Sequence, residues 1–205
     1  MLSTQQLAFQ RGNEWLFKDL SFEVHAGQLL WLRGQNGRGK TSLLRLLVSL
    51  TQPSQGQLRR GGRPSDTRPD LVYIGHANGL KDDLSAAESL AFLAHLHGRD
   101  GSPPAVAGAL HRLGIHHRRN RLVRTLSQGQ RRRVALARLA LEKTPTLWVL
   151  DEPFDTLDPA GIDIVNSLLL EHLARRGSVI LTSHLPLCLP GVPVHELDLD
   201  QVAAP

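Results

Sequence analysis

A glycine-rich loop holds the residues of this chain whose types and spacing are most specific for chemistry. Gly34, Gly37 and Gly39 lead into Lys40 and Thr41, which gives the pattern Gly-x-x-x-x-Gly-Lys-Thr. Glycines let the backbone fold tightly around a phosphate and point successive N–H groups at it. The lysine ammonium suits the β- and γ-phosphates of a nucleoside triphosphate, and the threonine hydroxyl suits Mg²⁺. The spacing therefore predicts a phosphate-binding P-loop.

A second candidate group is acidic and follows an apolar strand. Residues 147–150 are apolar, and Asp151 and Glu152 come directly after them. In a Walker B element the first acid holds Mg²⁺ and the second polarises the attacking water. By itself such a pair also fits an ordinary strand-to-turn connection. Together with the P-loop, the pair favours the catalytic interpretation.

The elements that must position these groups are short apolar strands alternating with helices. An apolar run at 28–32 enters the loop, and leucines at helical spacing follow it to about Leu50. This helix would begin at Lys40, so its positive dipole end faces the phosphates. Residues 2–25 alternate as antiparallel strands, and 55–70 are typical of an edge hairpin and loop. Further buried strands are predicted at 71–74, 146–150 and 178–182.

Helical patterns fill much of the remaining sequence. They occupy 85–97, about 105–113 and 127–141, with a further helix starting at Pro159. Ser127 is suited to cap its helix, and Pro159 to the first helical turn. Strands alternating with helices indicate an α/β fold around a mostly parallel sheet, with a small helical subdomain inserted between strands.

Composition restricts the class of protein. The net charge of +5 lies largely in basic runs at 116–121 and 130–133, which we expect to form a solvated surface that faces a partner. Aromatic residues make up 4% and do not alternate with these runs, so a stacking type of nucleic-acid site is disfavoured.

The single Cys188 gives no disulfide framework and suits a reducing cytoplasm. Neither a signal peptide nor an apolar run of about eighteen residues is found.

Three further motifs give the chain a specific resemblance. Residues 126–130, Leu-Ser-Gln-Gly-Gln, resemble the LSGGQ signature of ABC-type ATPases. Residues 154–158 look like the D-loop of that family, and Thr182-Ser183-His184 looks like its switch histidine. The motifs follow the order of the family from Gly34 to His184.

The resemblance implies a P-loop NTPase fold of the ABC nucleotide-binding type. Such a domain has an N-terminal antiparallel β subdomain and an inserted helical subdomain. We therefore expect one domain over 1–205, with a RecA-like core at about 1–83 and 142–205. The helical subdomain would span about 84–141.

The resemblance also implies roles for individual residues. Two copies would pack head to tail, each ATP lying between the P-loop of one copy and the signature of the other. Glu152 would be the general base, His184 would hold the γ-phosphate and the water, and Asp158 would couple the two sites. Mg²⁺ would be held by Thr41 and Asp151. The residues predicted to contact the copy's own nucleotide are Gly34, Gln35, Asn36, Gly37, Arg38, Gly39, Lys40, Thr41 and Ser42. Those predicted to act on the partner's ATP are Ser127, Gln128, Gly129 and Gln130.

Three positions depart from the pattern of the family. Gln128 replaces a small glycine in the signature, and His76 replaces the glutamine that reaches Mg²⁺ in the family. Arg11 falls where an aromatic residue usually stacks on adenine; an arginine plane can also stack on a base. His76 and Arg11 are therefore predicted, respectively, as a metal contact and a nucleotide contact.

Residues 75–76, 79–81 and 84–90 are similar to the ATPase subunit of the cytochrome c maturation ABC complex. This implies a homodimer bound to integral membrane subunits at the cytoplasmic face of the bacterial inner membrane, with haem export or haem-chaperone release as its work. The residues themselves indicate no direct haem site. The alternatives are the ATPase of another ABC exporter, for lipid, drug or metal, and a soluble nucleic-acid-associated ABC ATPase.

Overall fold

The computed structural model describes residues 2–61, 63–64, 71–187 and 189–202. Cys188 and part of the predicted loop at 55–70 lie outside these described residues. The chain divides into two compact units. The first unit comprises residues up to 73, 145–151 and those from 172 onward, and the second comprises 74–144 and 152–171. The predicted boundaries at 84 and 141 stay a prediction.

Two sheets form within the described part of the chain. An antiparallel sheet has the order β2-β1-β4-β5, and a second sheet has the order β6-β7-β8-β3-β9. The strands of the first sheet are β1 (Leu2–Arg11), β2 (Glu14–Val24), β4 (Gln55–Arg60) and β5 (Arg63–Pro64). Those of the second are β3 (Leu29–Arg33), β6 (Leu71–Ile74), β7 (Leu147–Leu150), β8 (Ser178–Thr182) and β9 (Val194–Asp198). The predicted α/β class is confirmed.

Parallel pairing in the second sheet places the candidate groups of the first unit at one edge. Strands β7, β8, β3 and β9 pair in parallel, in that order. All five residues of β8 are buried, as expected for a strand covered on both faces. The carboxyl ends of β3, β7 and β8 therefore bring Gly34, Asp151 and Thr182 to the same edge of the sheet.

Helix α1 (Lys40–Leu47) packs its apolar side into the core of the first unit. Leu43, Leu44, Leu46 and Leu47 are fully buried there. The prediction that the helix continues to about Leu50 is wrong. Ser49 adopts a left-handed conformation with φ 57°, and the Leu50 N–H bonds to the Arg45 carbonyl. This Schellman arrangement ends the helix and leaves Leu50 62% exposed.

The second unit is built on helices. They are α2 (Ala86–Leu96), α3 (Pro103–Arg112), α4 (Gln128–Ala140) and most of α5 (Pro159–Ala174), which continues into the first unit. Helix α3 begins two residues earlier than predicted, because Ser102 takes the N-cap position and Pro103 fits the first helical position. None of the described helices is long and apolar enough to cross a membrane.

Candidate functional site

The P-loop connects the end of β3 to the start of α1. Gly34 and Gly39 have φ values of 137° and 91°, a region that side chains rarely adopt. A Cβ at Gly39 would also lie only 3.0 Å from Cβ of Leu16, so Leu16 would have to shift to admit a side chain there. Helix α1 begins at Lys40 directly after this glycine, and Ser42 lies in its first turn. The N–H groups of that turn are available to an anion.

Lys40 folds back over its own loop. Its Nζ donates to the Gly34 carbonyl at 2.6 Å and to the Gln35 carbonyl at 3.1 Å. Both acceptors are neutral, so the positive charge is not cancelled by these contacts. A triphosphate oxygen is a stronger partner for an ammonium than a carbonyl, and nucleotide binding would exchange one for the other.

Asp200, which the sequence did not predict, anchors the first half of the P-loop. Its carboxylate accepts the Gln35 N–H at 2.9 Å and the Arg38 Nε–H at 3.0 Å. Arg38 also donates to the Leu199 carbonyl at 3.3 Å. The Arg38 side chain is therefore directed to Asp200, whereas Asn36 and Gly37 form the exposed tip of the loop.

Asp151 is held by two hydroxyl groups of the first unit. Thr41 Oγ1 donates to its Oδ2 at 2.8 Å, and Thr182 Oγ1 donates to its Oδ1 at 2.8 Å. Asp151 is 3% exposed and Thr182 is fully buried. A hydroxyl and a carboxylate beside a phosphate loop are the hard oxygen donors that Mg²⁺ prefers, so the residues fit this ion. Among the described residues there is no cluster of three His, Cys, Asp or Glu for a metal, whereas Mg²⁺ commonly takes one or two carboxylates and fills its shell with phosphate and water.

His184 follows β8 and lies beside the P-loop. A cavity of about 390 Å³ is lined by Gly34, Gln35, Lys40 and His184, among others. Trp31 Nε1 donates to the Ser183 carbonyl at 3.3 Å, which fixes the backbone just before the histidine. The structure thus brings the predicted residues of the first unit, except Arg11, to one region.

Glu152 follows Asp151 but belongs to the second unit. It is 9% exposed and has φ 48°, an uncommon conformation for a residue other than glycine. Its carbonyl accepts the Asp155 N–H at 3.2 Å and Nη2 of Arg132 at 2.7 Å. The expectation that 130–133 is a solvated basic run is therefore wrong for Arg132, which is 3% exposed. On α4 this residue lies on the inward face, a fact that a count of charges does not reveal.

The signature segment forms the start of α4. Ser127 Oγ accepts the Gln130 N–H, and Gln130 Oε1 accepts the Ser127 N–H, which makes a capping box. Gln130 thus has a structural contact as well as its predicted role, and Gln128 is exposed. Gly129 has no room for a side chain, because a Cβ would lie 2.6 Å from the carbonyl oxygen of Thr156.

Asp158 accepts a hydrogen bond from Arg133 and another from the Gly161 N–H at 3.0 Å. The hydrogen bond from Arg133 is the main reason that the pKa of Asp158 is lowered. Its side chain remains 62% exposed, so the carboxylate is accessible.

Two of the three residues that depart from the pattern of the family, His76 and Arg11, also lie in exposed positions. His76 has a side chain 77% exposed, with Nδ1 3.9 Å from Oδ2 of Asp155 in the same unit. Arg11 ends β1 opposite Glu14 in the β1–β2 hairpin. Their predicted contacts with Mg²⁺ and adenine stay predictions.

Comparison with known proteins identifies the family. Residues 17–155 match the family described as ABC transporter. The chain belongs to the ABC transporter family. It is an ATPase of that family, and the fold that the resemblance implied is confirmed. A solved ATP-binding subunit of an ABC transporter has the same fold, with a TM-score of 0.79 at 24% identity over 90% of this chain and 80% of that one. An ATP-binding cassette solved as a dimer with ADP and phosphate gives a TM-score of 0.80 at 20% identity over 90% and 88%.

Several curated proteins resemble this ABC ATPase over nearly its whole length. The cytochrome c biogenesis ATP-binding export protein CcmA of Dechloromonas aromatica is 43% identical, over 97% of this chain and all of that protein. The protein of the same name from Pseudomonas putida strain GB-1 is 44% identical, over 99% of this chain and 98% of that protein.

Proposed function

We propose that this chain is the ATP-hydrolysing subunit of a membrane ABC complex for c-type cytochrome biogenesis. The observation that carries the proposal is the whole-length similarity to proteins named cytochrome c biogenesis ATP-binding export protein. The resemblance of residues 75–76, 79–81 and 84–90 to the same subfamily supports it. The chemistry of the site supports the ATPase part, since a P-loop, a buried acid and a histidine lie together in the first unit.

Different residues of the chain have different roles in ATP hydrolysis. The amides of the P-loop and Lys40 bind the phosphates and hold the γ-phosphorus for attack. Thr41 and Asp151 would hold Mg²⁺, which neutralises phosphate charge when it is bound. Glu152 accepts a proton from the attacking water as the water oxygen bonds to the γ-phosphorus. The bond from that phosphorus to the β–γ bridging oxygen breaks, so that ADP and phosphate are released. His184 orients that water and the phosphoryl oxygens.

A second copy completes the site. The signature of that copy, residues 127–130, covers the terminal phosphate, and Asp158 links the two sites. The N–H groups of Gln128 and Gly129 at the start of α4 suit an anion, because they lie at the positive end of the helix and outside the capping bond between Gln130 and Ser127. Closure on two ATP molecules and reopening after hydrolysis would move the membrane subunits. We place the complex at the cytoplasmic face of the bacterial inner membrane, with haem export or haem-chaperone release as its work.

Replacement of the gene by single-residue variants tests this function. Lys40→Ala and Glu152→Gln are expected to abolish covalent attachment of haem to c-type cytochromes, measured by haem staining of denaturing gels. Lys143→Ala removes an exposed lysine, 79% accessible, and is the matched control that should leave staining normal. Pull-down of the tagged chain from membranes should bring integral subunits with it.

Two results would overturn the proposal in different ways. If Lys40→Ala loses ATP turnover but cytochromes mature normally, the chain serves another ABC exporter for lipid, drug or metal. If both variants retain wild-type turnover, the assignment of the catalytic residues is wrong.

A further inference from the structure

Arg132 joins three segments of the second unit through one buried guanidinium. Its Nη2 donates to the Glu152 carbonyl at 2.7 Å. Its Nη1 donates to the Gly75 carbonyl at 3.0 Å and to Oδ1 of Asn78 at 3.0 Å. The side chain projects from α4, so it connects this helix, the loop at 75–78 and the turn that follows β7. With only 3% of the residue exposed, these contacts are shielded from water.

The contact with Glu152 falls on a backbone that needs support. A left-handed φ of 48° is unfavourable for glutamate and persists only where the surroundings impose it. Two donors, Arg132 Nη2 and the Asp155 N–H, hold the carbonyl of Glu152. Together they fix the orientation of the peptide bond after Glu152 and, with it, the direction in which the carboxylate leaves the backbone.

The other end of the guanidinium holds the loop that contains His76. Gly75 and Asn78 flank this histidine, and both are bonded to Nη1. His76 adds an exposed contact to the same turn, 3.9 Å from Asp155. The planar guanidinium can satisfy acceptors on two sides at fixed angles, whereas a lysine ammonium is a point charge without this geometry.

We propose that Arg132 is a positioning residue for ATP hydrolysis, which holds the backbone of Glu152 and makes its orientation depend on the loop at 75–78. A displacement of that loop is then transmitted to the general base through the guanidinium of Arg132. This inference rests on the proposed function, because it assumes that Glu152 is the base.

The test compares Arg132→Met with Arg99→Met in the full chain purified with its membrane partners. Arg99 also belongs to the second unit, where it binds Glu142 at 2.8 Å, so its loss removes a comparable guanidinium contact. Arg132→Met is expected to lower kcat about 10²-fold, as for a slightly misplaced catalytic group. The Kd for ATP should stay within about threefold of wild type, because ground-state binding is untouched. Arg99→Met should lower the melting temperature and leave kcat near the wild-type value.

Two additional variants separate positioning from a general loss of structure. In a Glu152→Gln background, Arg132→Met should add no further loss of single-turnover rate, since both act through one group. Arg132→Lys, which keeps the charge, should fold and still show a reduced kcat. Asn78→Ala removes one of the acceptors of Arg132 and should lower kcat by less than Arg132→Met does.

The inference is overturned if Arg132→Met or Arg132→Lys retains wild-type kcat, or if kcat and the affinity for ATP fall together in Arg132→Met. It is also overturned if the losses of rate multiply in the Glu152→Gln background. Wild-type turnover of Glu152→Gln alone would instead overturn the proposed function. If Glu152→Gln loses ATP turnover while Arg132→Met turns over ATP normally, only the positioning role of Arg132 is overturned.

Discussion

The hydroxyl group of Thr182 is predicted to stabilise the acidic end of β7. It donates a hydrogen bond of 2.8 Å to Asp151, and the two residues are 0% and 3% exposed. Valine has nearly the same shape as threonine and suits a buried strand, but it cannot donate. Thr182→Val therefore removes one charge-assisted hydrogen bond and changes little else.

The expected loss of stability in Thr182→Val follows from the burial of this hydrogen bond. A hydrogen bond to a charged group contributes about 1.5–3 kcal/mol to the free energy of unfolding. For a chain of this length, 1 kcal/mol corresponds to about 2–4 °C in melting temperature. Thr182→Val should thus melt about 3–12 °C below wild type, measured by circular dichroism without nucleotide at neutral pH.

Thr146 supplies the matched control. Its hydroxyl is also buried, but within the described residues it has no hydrogen-bond partner. Thr146→Val removes an unsatisfied polar group, so the melting temperature should stay the same or rise. Equal decreases in the two variants would refute the reasoning, because the loss would then come from replacing a buried threonine and not from the bond to Asp151.

Two further predictions concern the stability of each unit. His172 packs on Trp148 with ring centroids 3.8 Å apart, and burial lowers its pKa to about 4. In the unfolded chain the imidazole of His172 takes up a proton near pH 6.5, whereas in the folded chain it does so only near pH 4. The contribution of His172 to the free energy of unfolding is therefore complete above pH 6.5. The free energy of unfolding should fall by about 2 kcal/mol from pH 7 to pH 5. In His172→Phe, the free energy of unfolding measured with urea should lack this part of the decrease between pH 7 and pH 5. If this free energy depends on pH as it does in the wild type, the prediction is contradicted. In the second unit, Gly129→Ala places a Cβ 2.6 Å from the Thr156 carbonyl and should lower both melting temperature and turnover. Gly108 lies within α3 with open space around it, so Gly108→Ala should raise the free energy of unfolding by about 0.5–1 kcal/mol. Similar changes of melting temperature in Gly129→Ala and Gly108→Ala would contradict the effect of the contact with Thr156.

The parts of the fold that the sequence predicts are those with strong local signals. Strand β7 and the three central residues of β8 are continuous apolar runs because they are buried, and the bounds of both strands agree with the prediction to within one residue. The P-loop was recognisable because its glycines and lysine are fixed by the chemistry of phosphate binding. Ser127 was recognisable as a cap because a serine before a helical pattern has a local partner.

The parts that were missed depend on contacts between residues distant in sequence. Strand β9 has mixed polarity and pairs in register with β3, some 165 positions away, so its pattern gave no signal. Asp200 follows this strand, and its contact with the P-loop was missed for the same reason. The burial of Arg132 depends on acceptors at 75, 78 and 152, which no local pattern connects to α4.

The most direct test of the central claim, that two copies enclose ATP and Glu152 cleaves it, is light scattering of Glu152→Gln with Mg²⁺ and ATP. We expect the molar mass of the chain to double on adding ATP, with unhydrolysed ATP retained in the dimer. A variant that stays at the mass of one chain while hydrolysing ATP at the wild-type rate would contradict the account.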